Sequence, residues 1–178
     1  MDKYDFGDGN GLVPAKRHIN HNGKLGGWVA DTAEVLTTEV SKDKGVFIYL
    51  PYISEDAKVY GNAKVIGSAE VLGSAEVYDN ALVYDKAKVY DKAKVYGNAQ
   101  VYGNAKVYDR AKVYGQADVY RQAKVYGNAE VYDNAEVYDN AEVYDNAKVY
   151  DNARVYGNAL VYGNALVYGL LSLHSQSL

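Results

Sequence analysis

The stretch Ala93–Gly115 reads AKVYGNAQVYGNAKVYDRAKVYG. Ala returns at every sixth residue, and Val follows two residues after each Ala, while the residues between them vary. The pattern extends both ways without insertion or deletion, Ala from Ala57 to Ala165 and Val from Val59 to Val167. Tyr follows Val in every hexad except two, where Ile66 and Leu72 stand instead. Next comes Gly or Asp, with Arg121 the exception, and then most often Asn. A period of six matches neither the 3.6-residue helical turn nor the heptad, so Ala and Val would drift round a helix. Gly in roughly half of the hexads lowers helix propensity further. A short strand fits better. In A-K-V-Y, alternation puts Ala and Val on one side and the charged residue and Tyr on the other. The Gly-Asn or Asp-Asn that follows tolerates left-handed backbone angles. Each hexad therefore predicts a four-residue strand and a corner.

A lone hexad cannot bury its Ala and Val, so identical units must stack. The known solution for such a repeat is a triangular coil in which three hexads, 18 residues, make one lap. At the usual strand spacing, the hexads from Ala57 onward build a prism roughly 30 Å long. Val and Ala fill its interior in like-residue columns, and a Val→Ala change in a middle lap is expected to cost about 1–3 kcal/mol. The fold class is all-β: a single-stranded, triangular parallel β-helix, or solenoid.

The V-Y-G-N-A-K unit, an aliphatic residue, three variable ones, a small one and a variable one, resembles the repeat of the hexapeptide-repeat, left-handed parallel β-helix family. The resemblance covers residues 57–170. It implies left-handed winding, which the general crossover rule does not favour. The segment Gly23–Val29, GKLGGWV, followed by tandem VYGNA hexads, looks like a group of uncharacterised bacterial and phage hexapeptide-repeat proteins. Some of these carry an acyltransferase label.

Eighteen-residue stacking orders the outer residues into columns. One runs Lys58, Glu76, Lys94, Lys112, Glu130, Lys148, Leu166; a second runs Glu70, Lys88, Lys106, Lys124, Glu142, Leu160; the third runs Lys64, Leu82, Gln100, Asp118, Glu136, Arg154. Several neighbours are opposite in sign, worth a few tenths of a kcal/mol per pair, roughly; Lys94–Lys112 and Asp118–Glu136 are not. The tyrosines stack likewise, as in Tyr78, Tyr96, Tyr114, Tyr132 and Tyr150. Such a ladder either stiffens the wall or offers an aromatic surface to a partner or a glycan.

The ends differ from the middle. Ala33, Val35, Phe47 and Ile53 keep the phase of the later columns, which predicts degenerate first coils over 33–56 and a cap over 1–32 that covers the terminal edges. The repeat proper spans 57–170, and 171–178 forms a tail or second cap. Leu160, Leu166, Leu170, Leu171, Leu173 and Leu178 gather at that end. Exposed clusters of this kind mark contacts. The leucines either fold back as a lid or form a self-association interface, isologous in a dimer.

The net charge of −4, with both signs interspersed, argues against general nucleic-acid binding. The absence of cysteine excludes disulfides, thiolate metal sites and cysteine nucleophiles. The start, MDKYDFGDGNG, has no signal-peptide apolar core, and no apolar run approaches a membrane span, so a cytoplasmic location is expected.

The resemblance to acyltransferases implies a histidine base and a loop protruding from the coils. None of the three His lies in the hexads, and no loop interrupts them. A base must come within hydrogen-bond reach of its substrate, so His18 and His21 would act only from the cap. As a metal pair, His18-x-x-His21 has no supporting ligand pattern, and FGDGNG lacks the helix and Lys-Ser/Thr of a phosphate loop. Ice binding would want ranks of Thr, which occurs only at 32, 37 and 38. No catalytic residue, metal or cofactor is expected. The reading is a non-enzymatic structural or interaction rod that partners itself and possibly another protein. An acyltransferase with an atypical site and a carbohydrate-binding module built on the Tyr ladders are the alternatives.

Overall fold

The computed structural model describes residues 2–42 and 45–174. The chain winds as a β-solenoid with three parallel sheets for walls. Seven strands precede the regular hexads: β1 (Lys3–Asp5), β2 (Leu12–Ile19), β3 (Leu25–Ala30), β4 (Glu34–Leu36), β5 (Thr38–Lys42), β6 (Gly45–Tyr49) and β7 (Tyr52–Ile53). Each hexad then contributes a strand of two or three residues, from Lys58–Val59 to Leu166–Val167, and Ser172–His174 ends the series. The first face starts at β3, the second at β4 and the third at β7. Register is fixed at one lap: Val77 lies over Val95, Val83 over Val101, Val89 over Val107. Every Val from Val59 to Val167 is fully buried, as is every Ala from Ala57 to Ala159.

Alternation explains the walls, and backbone hydrogen bonding explains the stacking. In each lap the outward residues donate to carbonyls one lap on, as Lys94 N–H to Ala111 (3.0 Å), Tyr96 N–H to Val113 (3.0 Å) and Asn98 N–H to Gly115 (2.7 Å). Corners are four-residue turns, with the Ala99 N–H donating to the Tyr96 carbonyl at 3.4 Å. The first central residue of every turn, from Gly61 to Gly169, has positive φ, between 57° and 74°. That is the left-handed region Gly enters freely and Asp tolerates. Asp also makes a bond that Gly cannot. The Asp79 carboxylate accepts from the Gly97 N–H one lap on (3.2 Å), Asp109 from Gly127 (3.0 Å) and Asp145 from Gly163 (3.1 Å). Asp therefore adds a second tie between successive laps at the corner, beside the backbone bond made there by the residue that follows it. Asn extends the tie: Asn62 donates to Asn80 and Asn80 to Asn98, each at 3.2 Å.

The first lap departs from the sequence-based reading in two ways. It begins upstream of residue 33, because β3 already lies parallel to Lys58–Val59, with Val29 over Val59. It also carries an excursion. Val29 pairs with Val59 and Val35 with Val65, both 30 residues on, whereas Ile53 pairs with Val71 at the regular 18. The surplus between β4 and β7 forms the antiparallel hairpin β5–β6. Phe47, expected in phase with Val, lies on this hairpin opposite Val40 rather than in a lap.

The N-terminal edges are managed separately. On the first face β1 and β2 continue the sheet as an antiparallel meander on β3. Gly26 and Gly27 permit this close packing, since a Cβ on Gly27 would fall on the Ala57 carbonyl oxygen and one on Gly26 on that of Ile53. On the third face no strand covers β7. The Asn20 side chain does so instead: its Oδ1 accepts from the Ile53 N–H (2.9 Å) and its Nδ2 donates to the Ile53 carbonyl (2.8 Å). Asn20 is 2% exposed and is the one fully buried polar side chain among the described residues. Its amide stands in for a peptide group of a missing strand. Asn20→Ala would leave two buried backbone groups unpaired, and chemical denaturation is expected to show a loss of about 2–4 kcal/mol.

Candidate functional site

The tyrosines expected to form ladders do so, in three columns. In the first, Tyr60, Tyr78, Tyr96, Tyr114, Tyr132, Tyr150 and Tyr168 stack with centroids 4.8–5.3 Å apart. The planes of Tyr78 and Tyr96 differ by 2°. This is offset stacking imposed by the strand spacing, and it lies within the favourable range for aromatic pairs. Phe6, from the N-terminal segment, stacks on Tyr60 at 4.7 Å and closes the column above. The second column runs from Tyr84 to Tyr156 and ends at His174. The third runs through the odd-and-even laps from Tyr90 and Tyr108 to Tyr144 and Tyr162.

This geometry decides what the ladders present. Each interior ring, including Tyr78, Tyr96, Tyr114, Tyr132 and Tyr150, has both faces covered by its neighbours and offers only an edge. Several hydroxyls reach outward carboxylates sixteen residues on: Tyr120 donates to Glu136 and Tyr126 to Glu142, both at 3.0 Å. Burial, with the neighbouring carboxylates and phenols, raises the pKa of the ladder hydroxyls. Tyr84 and Tyr90 are pushed up to about 12, and Tyr114, Tyr120 and Tyr126 further.

The outer columns pair where signs alternate. Lys88 meets Glu70 (2.9 Å), Lys124 meets Glu142 (2.7 Å), and Glu130 sits between Lys112 (3.1 Å) and Lys148 (3.3 Å). Burial pushes the Glu130 pKa up, but the two lysines outweigh it and leave the carboxyl below its ordinary value. Asp118, stacked on Glu136, is raised by burial and by that like charge. Arg121 fits its left-handed corner by pairing with Asp139 and lying over the rings of Tyr120 and Tyr138. Its departure from Gly or Asp was visible in the sequence; its partner, one lap on, follows from the register.

His18 lies on β2, half-buried, with its pKa lowered by burial and by Lys16. His21, in the turn beyond, sets its ring edge-on to Tyr52 at 6.4 Å. In FGDGNG, Asp8 accepts from the Asn10 N–H (3.0 Å) and Asp5 from that of Gly7 (2.8 Å), so these carboxylates serve local turns. Among the described residues, no group of three or more His, Asp or Glu converges as a metal site.

The C-terminal leucines divide. Leu173 does not face outward: it is 6% exposed and continues the inward column beneath Val155. It falls six residues after Val167, a phase the count of leucines obscured. Leu160 is half-buried, while Leu166, Leu170 and Leu171 are exposed, Leu170 by 89%. Tyr162 and Tyr168, the last rings of two columns, are exposed beside them. Leu178 lies outside the described residues.

A family model described as "YdcK Beta solenoid repeat" matches residues 147–163. That agrees with the observed β-solenoid. No curated protein and no solved structure matches the chain significantly.

Proposed function

We propose that the chain is a rigid structural rod that associates with a second copy through its C-terminal end. The observation that carries this reading is the contrast between the two ends. On the N-terminal side the β1–β2 meander covers the first sheet, the Asn20 amide covers the third and Phe6 lies over the first ladder, while β4 stands at the edge of the second sheet. Among the described residues, the strands Leu160–Val161, Leu166–Val167 and Ser172–His174 stand at the opposite edges of the three sheets. There Leu166, Tyr168, Leu170 and Leu171 form an exposed apolar patch next to sheet edges, a combination that favours pairing with another chain. The N-terminal side, covered on two of its three sheets, complements it less well, so contact is tail to tail. The interface is isologous, and growth stops at two copies. A glycan-binding role for the ladders is supported less well, because sugar rings stack on aromatic faces and the interior faces are covered.

No helix among the described residues is long and apolar enough to cross a membrane. Mass measurement in solution tests the proposal. The wild type is expected to be a dimer with about twice the long dimension in small-angle scattering, and Leu170→Asp with Leu166→Lys a monomer with unchanged circular dichroism. A monomeric wild type, or a variant that stays dimeric, overturns it.

A further inference from the structure

The chain carries more acid than base, yet its charges are unevenly spread. From Lys88 to Lys112 it holds six Lys and Arg against two carboxylates, Asp91 and Asp109. The register stacks the six in two rows at the corner between the third face and the first: Lys88, Lys92 and Lys94 in one lap, and Lys106, Arg110 and Lys112 in the next. Like charges therefore lie directly opposite in three adjacent columns, which is unfavourable. The outer columns find relief in the laps beyond, Lys88 at Glu70, Lys94 at Glu76 and Lys112 at Glu130. The two corner carboxylates are turned to amides one lap on, Asp91 to that of Asp109 (3.3 Å) and Asp109 to that of Gly127 (3.0 Å). Lys92, Lys106 and Arg110 are exposed and, among the described residues, make no ion pair. Lys106 stands between Lys88 and Lys124, and it is exposed where both of those are half-buried.

We propose that this corner docks a short acidic segment of a partner protein, a run of a few Asp or Glu side chains. The corner projects from the wall, so carboxylates reach Lys92, Lys106 and Arg110 from outside without displacing any side chain. Clustered Lys and Arg hold acidic motifs by charge-assisted hydrogen bonds. The surroundings set the length. From Glu130 to Asp145 the chain carries six carboxylates and no Lys or Arg, so a long polyanion laid along the rod would run from the patch onto like charge. Nucleic acid fits less well for a second reason. Unpaired bases bind by stacking on open aromatic faces, and the interior rings of the ladders have both faces covered.

The probe is a fluorescein-labelled hexaglutamate peptide, followed by fluorescence anisotropy on the full chain. Wild type is expected to bind saturably at low ionic strength and to weaken as salt is added. Lys92→Glu with Arg110→Glu is expected to weaken binding by about tenfold or more. Lys16→Glu with Lys24→Glu makes the same charge change on exposed residues of the cap and is expected to leave binding nearly unchanged. Lys106→Glu places a carboxylate between Lys88 and Lys124, so binding is expected to fall while Tm stays level or rises. No saturable binding by wild type overturns the proposal, as does binding that persists in the Lys92 and Arg110 variant. Equal weakening in the cap variant would mark general attraction, and tighter binding of an oligothymidylate of equal charge would mark a nucleic-acid surface; either overturns it too.

Discussion

Val113→Asp is expected to divide the solenoid at its middle. Val113 is fully buried on the first face, between Val95 above and Val131 below. Its neighbours inside are other Val and Ala side chains, with nothing to pair a carboxylate. An unpaired buried charge costs about 3–5 kcal/mol, against about 1–3 kcal/mol for the cavity left by Val113→Ala. In a solenoid each lap touches only the next, so the damage does not spread evenly. Hydrogen exchange should show protection lost in the laps around residue 113 and downstream, while the capped laps near Val59 and Val65 keep theirs. Uniform loss of protection along the chain would show that the laps fold as one unit and would contradict this picture.

The second large effect comes from alkali. Folding raises the pKa of the ladder tyrosines above the ordinary value of 10.0, chiefly by burial. Above about pH 10 the unfolded chain therefore gives up phenolic protons that the native chain holds. Stability contributed by this difference is complete below pH 10 and drains away as pH rises through the folded values, about 12 for Tyr84 and Tyr90 and higher for Tyr120 and Tyr126. Many tyrosines shift in the same direction, so their contributions accumulate. Phenolate absorbance is expected to rise abruptly and together with loss of the β-sheet circular dichroism. Gradual titration near pH 10 with the sheet signal intact would mean that the rings are open to water.

Much of this structure could be read from the repeat because its two periods have separate physical origins. Alternation within A-K-V-Y assigns faces, and three hexads per lap assigns vertical neighbours, so both the core and the ladders follow. The rest is not legible there, for equally specific reasons. The hairpin β5–β6 adds twelve residues, the difference between the 30-residue step at Val29–Val59 and the regular 18. Twelve is two hexads, so Phe47 kept the phase of the core while leaving it. Asn20 looks like one more polar loop residue; only the position of the uncovered β7 edge gives its amide a task. Counting leucines at the C-terminus merged Leu173, which is in phase with Val167, with Leu170, which is in the phase of the Asn corners. From the hexad alone the corner aspartates are legible only as residues that tolerate a left-handed turn. Their bonds to amides one lap on depend on a vertical register that reaches beyond the turn itself.

The forward-reaching bonds at each lap also bear on how the chain acquires its shape during synthesis. The β1–β2 meander precedes the hexads in the chain, so it offers a finished edge before any regular hexad has left the ribosome. Each later lap needs only its predecessor as a template, at a sequence distance that never grows. Folding can then proceed by vectorial zippering at the pace of translation. Genetic gain or loss of a whole lap would lengthen or shorten the rod without creating a new folding problem.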